Sequence, residues 1–354
     1  MFAKKIKKGE WQMSMSTTSN TRDFSLDALK AMAICMVVMI HISAPGFVSF
    51  GEQWNAALVY DSLSRISVPI FFMVTGSVLL NREHSLKSIF FKVRLVLIPL
   101  VAWSVIYLIY NEHVHGQIVK NWALEIVQGP VLHMWFVYAL IGAYLFLPLT
   151  SRFFRSATRS EKLWVTLLAI VGSSILPFFK DITGQLWLGI DMAYVPIYSA
   201  YMLMGAVLYE ELNKRDNVVS LGLVGLAAWV VGTLITIFGT YFKSIGDGRY
   251  SIVYFNYYAP SVLLAALGAY TLFIYVFKRN TVFVSRKIGF LGQQTFGIYM
   301  CHMIPLQILG ELISRTGGLS PWVWYPLIVM LTIFASLIIV AIIQRIPVIR
   351  HICP

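Results

Sequence analysis

Leu26-Asp27-Ala28-Leu29-Lys30-Ala31-Met32-Ala33-Ile34-Cys35-Met36-Val37-Val38-Met39-Ile40-His41 decides the fold. It is a continuous apolar helix carrying one cation and one imidazole. Eleven positions separate Lys30 from His41, three helical turns or about 16 Å along the axis, and every residue between them is apolar. If the segment crosses a bilayer, Lys30 lies near one face and His41 past mid-depth. Ionisable groups in hydrocarbon cost several kcal/mol and are usually placed there for function. The pair therefore points to chemistry that starts at one face of a membrane and finishes deeper in.

Working outward, the rest of the chain has the same character. Of 354 residues, 58% are hydrophobic and 12% charged, with a mean hydropathy of +0.72; a soluble domain is nearer one quarter charged. The pattern predicts an all-α polytopic integral membrane protein with about ten spans, at 26–44, 56–80, 93–111, 131–150, 163–179, 190–211, 218–242, 256–277, 288–310 and 322–344. With the N-terminus inside, 21 of the 28 Lys and Arg fall in cytoplasmic segments. Only Lys120, Lys180, Lys243, Arg249 and Arg315 fall opposite, and Lys30 and Arg65 lie within spans. The positive-inside rule then sets both termini in the cytoplasm. The net charge of +12 is thus an expression of topology, and no nucleic-acid partner is expected.

Residues 1–25 read as a basic cytoplasmic tail and 347–354 as a short second one. The first span is expected to act as an uncleaved anchor, because no apolar core of a signal peptide precedes it. Cys35 and Cys301 fall within spans and Cys353 in the tail, so no disulfide is expected. No internal repeat is present, which counts against an inverted-repeat transporter.

Within the spans, local pairing is expected. Asp27 stands three residues before Lys30 and Asp61 four residues before Arg65, the spacings of helical ion pairs. Pro69, in Ser64-Arg65-Ile66-Ser67-Val68-Pro69-Ile70-Phe71-Phe72-Met73-Val74-Thr75-Gly76, is expected to kink the second span and free the carbonyl of Arg65.

His41 suits a general base able to take a proton from a hydroxyl; the alternative is a packing histidine bonded to a neighbouring span. Arg65 either neutralises Asp61 or meets a phosphate or an oxyanion. Lys30 either snorkels to the interface or contacts a phosphorylated cytosolic donor. His302 is expected at a depth like that of His41, and His133 at the outer start of the fourth span. Three histidines from separate spans are a conceivable metal set, yet none has ligand spacing, and no metal is expected. Tyr194, Tyr198 and Tyr201 share one helix face, as packing or as a sugar platform. No phosphate loop, dinucleotide fingerprint or nucleophile elbow occurs. Read this way, the residues leave an enzyme and a transporter equally open.

A resemblance goes further. Lys30 and His41, with ten residues between them, resemble the (Arg/Lys)-x10-His signature opening the acyltransferase-3 family of membrane O-acyltransferases. The stretch from Ser64 to Gly76 is similar to that family's second-span motif, which more often ends Ser-Gly. His133-Met134-Trp135-Phe136 and Phe296-Gly297-Ile298-Tyr299-Met300-Cys301-His302 resemble its later landmarks. Within the family the chain looks most like the short O-acetyltransferases of the enterobacterial common antigen type. The resemblance implies an acyltransferase-3 transmembrane domain over 26–346 in a bacterial inner membrane. It implies transfer of an acetyl group from cytosolic acetyl-CoA, as substrate and with no permanently bound cofactor, to a hydroxyl of a surface or lipid-linked glycan. His41, Arg65 and His302 would then be catalytic, with Lys30 and Arg65 binding the donor. Lys at position 30 keeps the charge of the commoner Arg but loses its bidentate fork. A transporter or flippase for a lipid-linked glycan, or transfer of another acyl group such as succinyl, are the competing readings.

Overall fold

Helix formation begins at Asp23, whose side chain caps the backbone N–H of Ser25 at 2.8 Å. In the structure, a computed structural model that describes residues 23–185, 196–214, 219–279, 285–316 and 319–354, every regular element among those residues is helical. The first is α1, Phe24–Val48. Span two is divided into α2, Trp54–Ser64, and α3, Ser67–Leu79. Then come α4 (Leu86–His115), the short α5 (Trp122–Gln128) and α6 (Trp135–Ser156). A π-turn at Val171–Ile175 joins α7 (Arg159–Ile170) to α8 (Leu176–Thr183). The chain continues as α9 (Ile197–Asn213), α10 (Val219–Asp247), α11 (Pro260–Arg279), α12 (Ser285–Cys301), α13 (Met303–Thr316) and α14 (Pro321–Arg345).

Eight helical stretches among the described residues are long and apolar enough to cross a bilayer, and the α12–α13 pair, taken as one bent span, adds a ninth. The expected sixth span, 190–211, is described only from Pro196 onward. Large apolar side chains such as Val231 and Phe242 on α10, and Met330 and Phe334 on α14, face outward. Polar groups such as Asp61, His133 and His302 are buried. That inverted arrangement suits lipid as solvent.

Both expected ion pairs form. Lys30 Nζ meets Asp27 Oδ1 at 2.8 Å, and Arg65 Nη2 meets Asp61 Oδ1 at 2.7 Å. Span two breaks at Arg65-Ile66, and Pro69 is the third residue of the resumed helix. A second break falls within the span expected over 288–310. The axis turns by 74° at His302, and here too a proline, Pro305, is third in the resumed helix and denies the Cys301 carbonyl its helical donor.

Glycines set how closely these helices approach. A Cβ on Gly76 would lie 1.9 Å from the Met202 carbonyl oxygen, and one on Gly205 would lie 2.3 Å from that of Met73, so α3 and α9 cross backbone to backbone. At Gly292, a Cβ would be 2.5 Å from the Asp27 carbonyl oxygen, which pins α12 against the start of α1. From that crossing both helices run toward their histidines. Beyond α14 the chain folds back into the bundle. Trp103 Nε1 donates to the Ile352 carbonyl at 3.0 Å, Gln344 Nε2 donates to that of Cys353 at 3.0 Å, and Cys353 is fully buried.

Candidate active site

Three segments distant in sequence bring three imidazoles together. His41 comes from the C-terminal half of α1, His133 from the 3-10 turn Leu132–Met134 that leads into α6, and His302 from the break between α12 and α13. Ring centres are 5.4 Å apart for His41 and His302, 5.0 Å for His133 and His302, and 6.0 Å for His41 and His133. His133 and His302 are buried, and His41 alone of the three retains partial exposure.

Helix ends explain how the cluster is held. Where α12 stops, the carbonyls of its last turn lose their helical donors and need others. The Met300 carbonyl accepts from the Tyr107 hydroxyl at 2.8 Å. The Tyr299 carbonyl lies 2.7 Å from His302 Nδ1, and the Tyr299 hydroxyl donates to the His133 carbonyl. Tyr299 therefore ties His302 and His133 to one another. Both ring nitrogens of His133, and Nε2 of His302, are buried with no hydrogen-bond partner. Among the described residues no group of three His, Cys, Asp or Glu is arranged to hold a metal ion.

An aromatic wall adjoins the imidazoles. Tyr299 packs on Phe136 with ring centres 5.2 Å apart, Phe72 stacks on Tyr198 at 4.7 Å, and Trp135 faces both Tyr198 and Tyr257 at 5.6 Å. Tyr198 thus belongs to this wall. Tyr201 donates its hydroxyl to the Tyr257 carbonyl at 2.6 Å, a packing role, and Tyr194 lies outside the described residues.

Arg65 is committed before any ligand arrives. Its guanidinium bonds the fully buried Asp61 and sits 4.4 Å from the centre of the Phe255 ring. It is near enough to act electrostatically on His41. One donor, Nε, is buried without a partner.

Lys30 is at the other end of α1, away from the histidines. It lines a cleft of about 530 Å³ with Asp23, Asp27, Asn81, Arg82 and Tyr209 among its walls. Just beyond the cleft, His84 bonds the Leu79 carbonyl at 2.9 Å; partial burial and the charges of Lys92, Arg82 and Arg155 hold its imidazole below the ordinary histidine range. The sequence reading counted Arg82 only as a topological charge. His133 entered there as the start of the fourth span, as a conceivable metal ligand and within a family landmark, and Tyr107 was not singled out at all. Pro305, likewise not singled out, is the local signal by which the break at His302 could have been found.

The match to known proteins now has a geometry to rest on. Residues 23–341 match the acyltransferase domain that defines the acyltransferase-3 family. The chain belongs to that family. No curated protein and no solved structure gives a significant match to it. Membership, with its many apolar helices, makes the chain a multi-pass membrane acyltransferase, and the matched region takes in every one of His41, Arg65, His133 and His302.

Proposed function

We propose that this acyltransferase moves an acetyl group from cytosolic acetyl-CoA to a hydroxyl of a surface or lipid-linked glycan at a bacterial inner membrane. The observation that carries the reading is the pair of sites on α1: a polar cleft around Lys30, where Arg82 adds a second cation beside Asp23 and Asp27, and, about 16 Å further along, an imidazole cluster in which His41 is partly exposed. The charge bias of the loops supports an orientation with the cleft on the cytoplasmic side. CoA phosphates are drawn there by Lys30 and Arg82, and the pantetheine arm carries the thioester toward His41.

His41 takes the proton of the acceptor hydroxyl as its oxygen attacks the acetyl carbonyl. The carbon–sulfur bond then breaks, and the departing CoA thiolate recovers that proton from His41. Arg65, fixed by Asp61, contributes positive potential for the developing oxyanion. The aromatic wall of Trp135, Tyr198 and Tyr257 offers a face for a sugar ring. The short enterobacterial common antigen O-acetyltransferases, which the sequence resembles, suggest the acceptor class.

The test is release of free CoA from acetyl-CoA by purified protein in vesicles of host lipid, with the acetylated glycan followed by mass spectrometry. His41→Ala should lower turnover by about 10³-fold while the protein remains inserted and monodisperse. Undiminished turnover in that variant would sink the assignment of the base. Movement of a lipid-linked glycan across the bilayer with no CoA released would replace the whole reading with a flippase.

A further inference from the structure

His302 has a ring whose proton position is set by the fold. A carbonyl oxygen only accepts, so the 2.7 Å contact between His302 Nδ1 and the Tyr299 carbonyl requires the proton on Nδ1. In the neutral imidazole, Nε2 then carries a bare lone pair and only accepts. That Nε2 is fully buried and has no partner. The origin of the lock is the helix break: with Pro305 third in α13, the last turn of α12 ends and its Tyr299 carbonyl is free to take the imidazole N–H.

Two other imidazoles adjoin this ring. His41 is 5.4 Å away between centres and His133 is 5.0 Å away. Of the three histidines only His41 is partly exposed, and the acetyl-transfer reading makes it the base. A base needs one bare nitrogen toward the hydroxyl and, for the other, an acceptor that holds its N–H in place. An unpartnered Nε2 at this separation supplies that acceptor, either through one bridging water or after the tightening that a bound substrate brings.

We propose that His302 is the positioning residue of His41. Its tautomer, locked by the Tyr299 carbonyl, makes Nε2 a permanent acceptor for a ring N–H of His41, which leaves the second His41 nitrogen bare as the base. When His41 takes the hydroxyl proton, both of its nitrogens carry protons, and the N–H toward His302 stays hydrogen-bonded through the step. The order is then Tyr299 carbonyl, His302, His41, acceptor hydroxyl, with a backbone oxygen in the place where other relays use a carboxylate. The inference rests on the acetyl-transfer reading for its kinetic arm, while its spectroscopic arm stands without it.

The experiment has two arms. In the first, ¹⁵N-histidine NMR of the purified protein in lipid discs, with signals assigned by single substitutions, reads the protonated and bare nitrogens of each ring. The expected result is His302 with Nδ1 protonated and Nε2 bare, and a single tautomer for His41 that becomes mixed in His302→Ala. It should stay single in His133→Leu. A His302 protonated on Nε2, or a His41 signal indifferent to His302→Ala, overturns the proposal; so does a His41 signal that mixes only in His133→Leu.

The second arm uses acetyl-CoA as the probe. His302→Ala should lower kcat about 100-fold, with KM within about twofold. His302→Gln places an amide oxygen near the Nε2 position and should recover at least about tenfold of the loss. Equal losses in both variants, or no loss in either, overturn it. If the wild-type protein releases no CoA, the acetyl-transfer reading fails, and the tautomer measurement still decides the role of His302.

Discussion

The two broken spans are built alike and used differently. Ile66 precedes Pro69 by three residues, and His302 precedes Pro305 by three. In both, the helix stops, the chain turns and a new helix begins with proline in its first turn. Around the first break, the charge of Arg65 is closed off by Asp61 one turn earlier on the same helix, and the two pieces still count as one continuous span. Around the second, the axis turns by 74° and the His302 ring is only half satisfied. A proline break is therefore not in itself a site. What separates the two is the kind of atom left open: at Arg65 it is Nε, one donor of a charge already paired, whereas at His302 it is the Nε2 of a ring that adjoins His41 and His133.

The largest effect is expected at the closed break. Asp61→Leu leaves Arg65 as an uncompensated buried cation, a loss on the order of 3–5 kcal/mol. Little folded protein should then be recovered by detergent gel filtration. The double variant Asp61→Leu/Arg65→Met removes both charges and should return most of the yield, with kcat lowered about tenfold through the missing positive potential beside His41. A single Asp61→Leu variant as abundant and monodisperse as wild type would mean that the pair is not what closes this break.

Next comes a paired test of the prolines. Pro305→Ala returns a donor to the Cys301 carbonyl and favours a straighter helix, which withdraws the Tyr299 carbonyl from His302. It should cost about tenfold in kcat with insertion intact. Pro69→Ala changes a break whose charge is already paired and should stay within about threefold. Equal losses from the two substitutions would erase the distinction drawn above, because it would show that both bends serve the chemistry to the same degree.

How much of this was legible in the sequence follows from the range of each interaction. The ion pairs Asp27–Lys30 and Asp61–Arg65 were readable because helix geometry alone brings residues three or four apart onto one face. The helical spans and the Pro69 break were readable for the same local reason. The meeting of His41, His133 and His302 was not, since it depends on which spans touch. That is decided by contacts such as Gly292 on the Asp27 backbone and Gly76 on that of Met202, and a glycine within a helix does not name its partner. The return of residues 346–354 into the bundle was hidden too. A short tail read as cytoplasmic gave no sign that Trp103 and Gln344 hold its carbonyls. Lys30 was placed at its end of α1 by counting turns, whereas Arg82, Asn81 and Tyr209, the other polar walls of its cleft, come from elements that counting does not reach.

The smallest effect is expected at that cleft, and it separates the two ends of α1. Lys30 already has Asp27 as a partner at 2.8 Å, and its side chain is 29% exposed. One screened charge among several is worth about 1 kcal/mol or less, so Lys30→Gln should raise KM for acetyl-CoA by about fivefold at low salt. The effect should shrink as ionic strength rises, because the Debye length falls to about 8 Å near 0.15 M salt. kcat should not move, since the thioester lies some 16 Å further along the helix axis. Lys30→Arg, which keeps the charge, should match wild type within about twofold. A fall in kcat for Lys30→Gln with KM unchanged would place Lys30 in the chemical step. It would then follow that the donor does not lie extended along α1, and that the cleft and the histidine cluster work as one site.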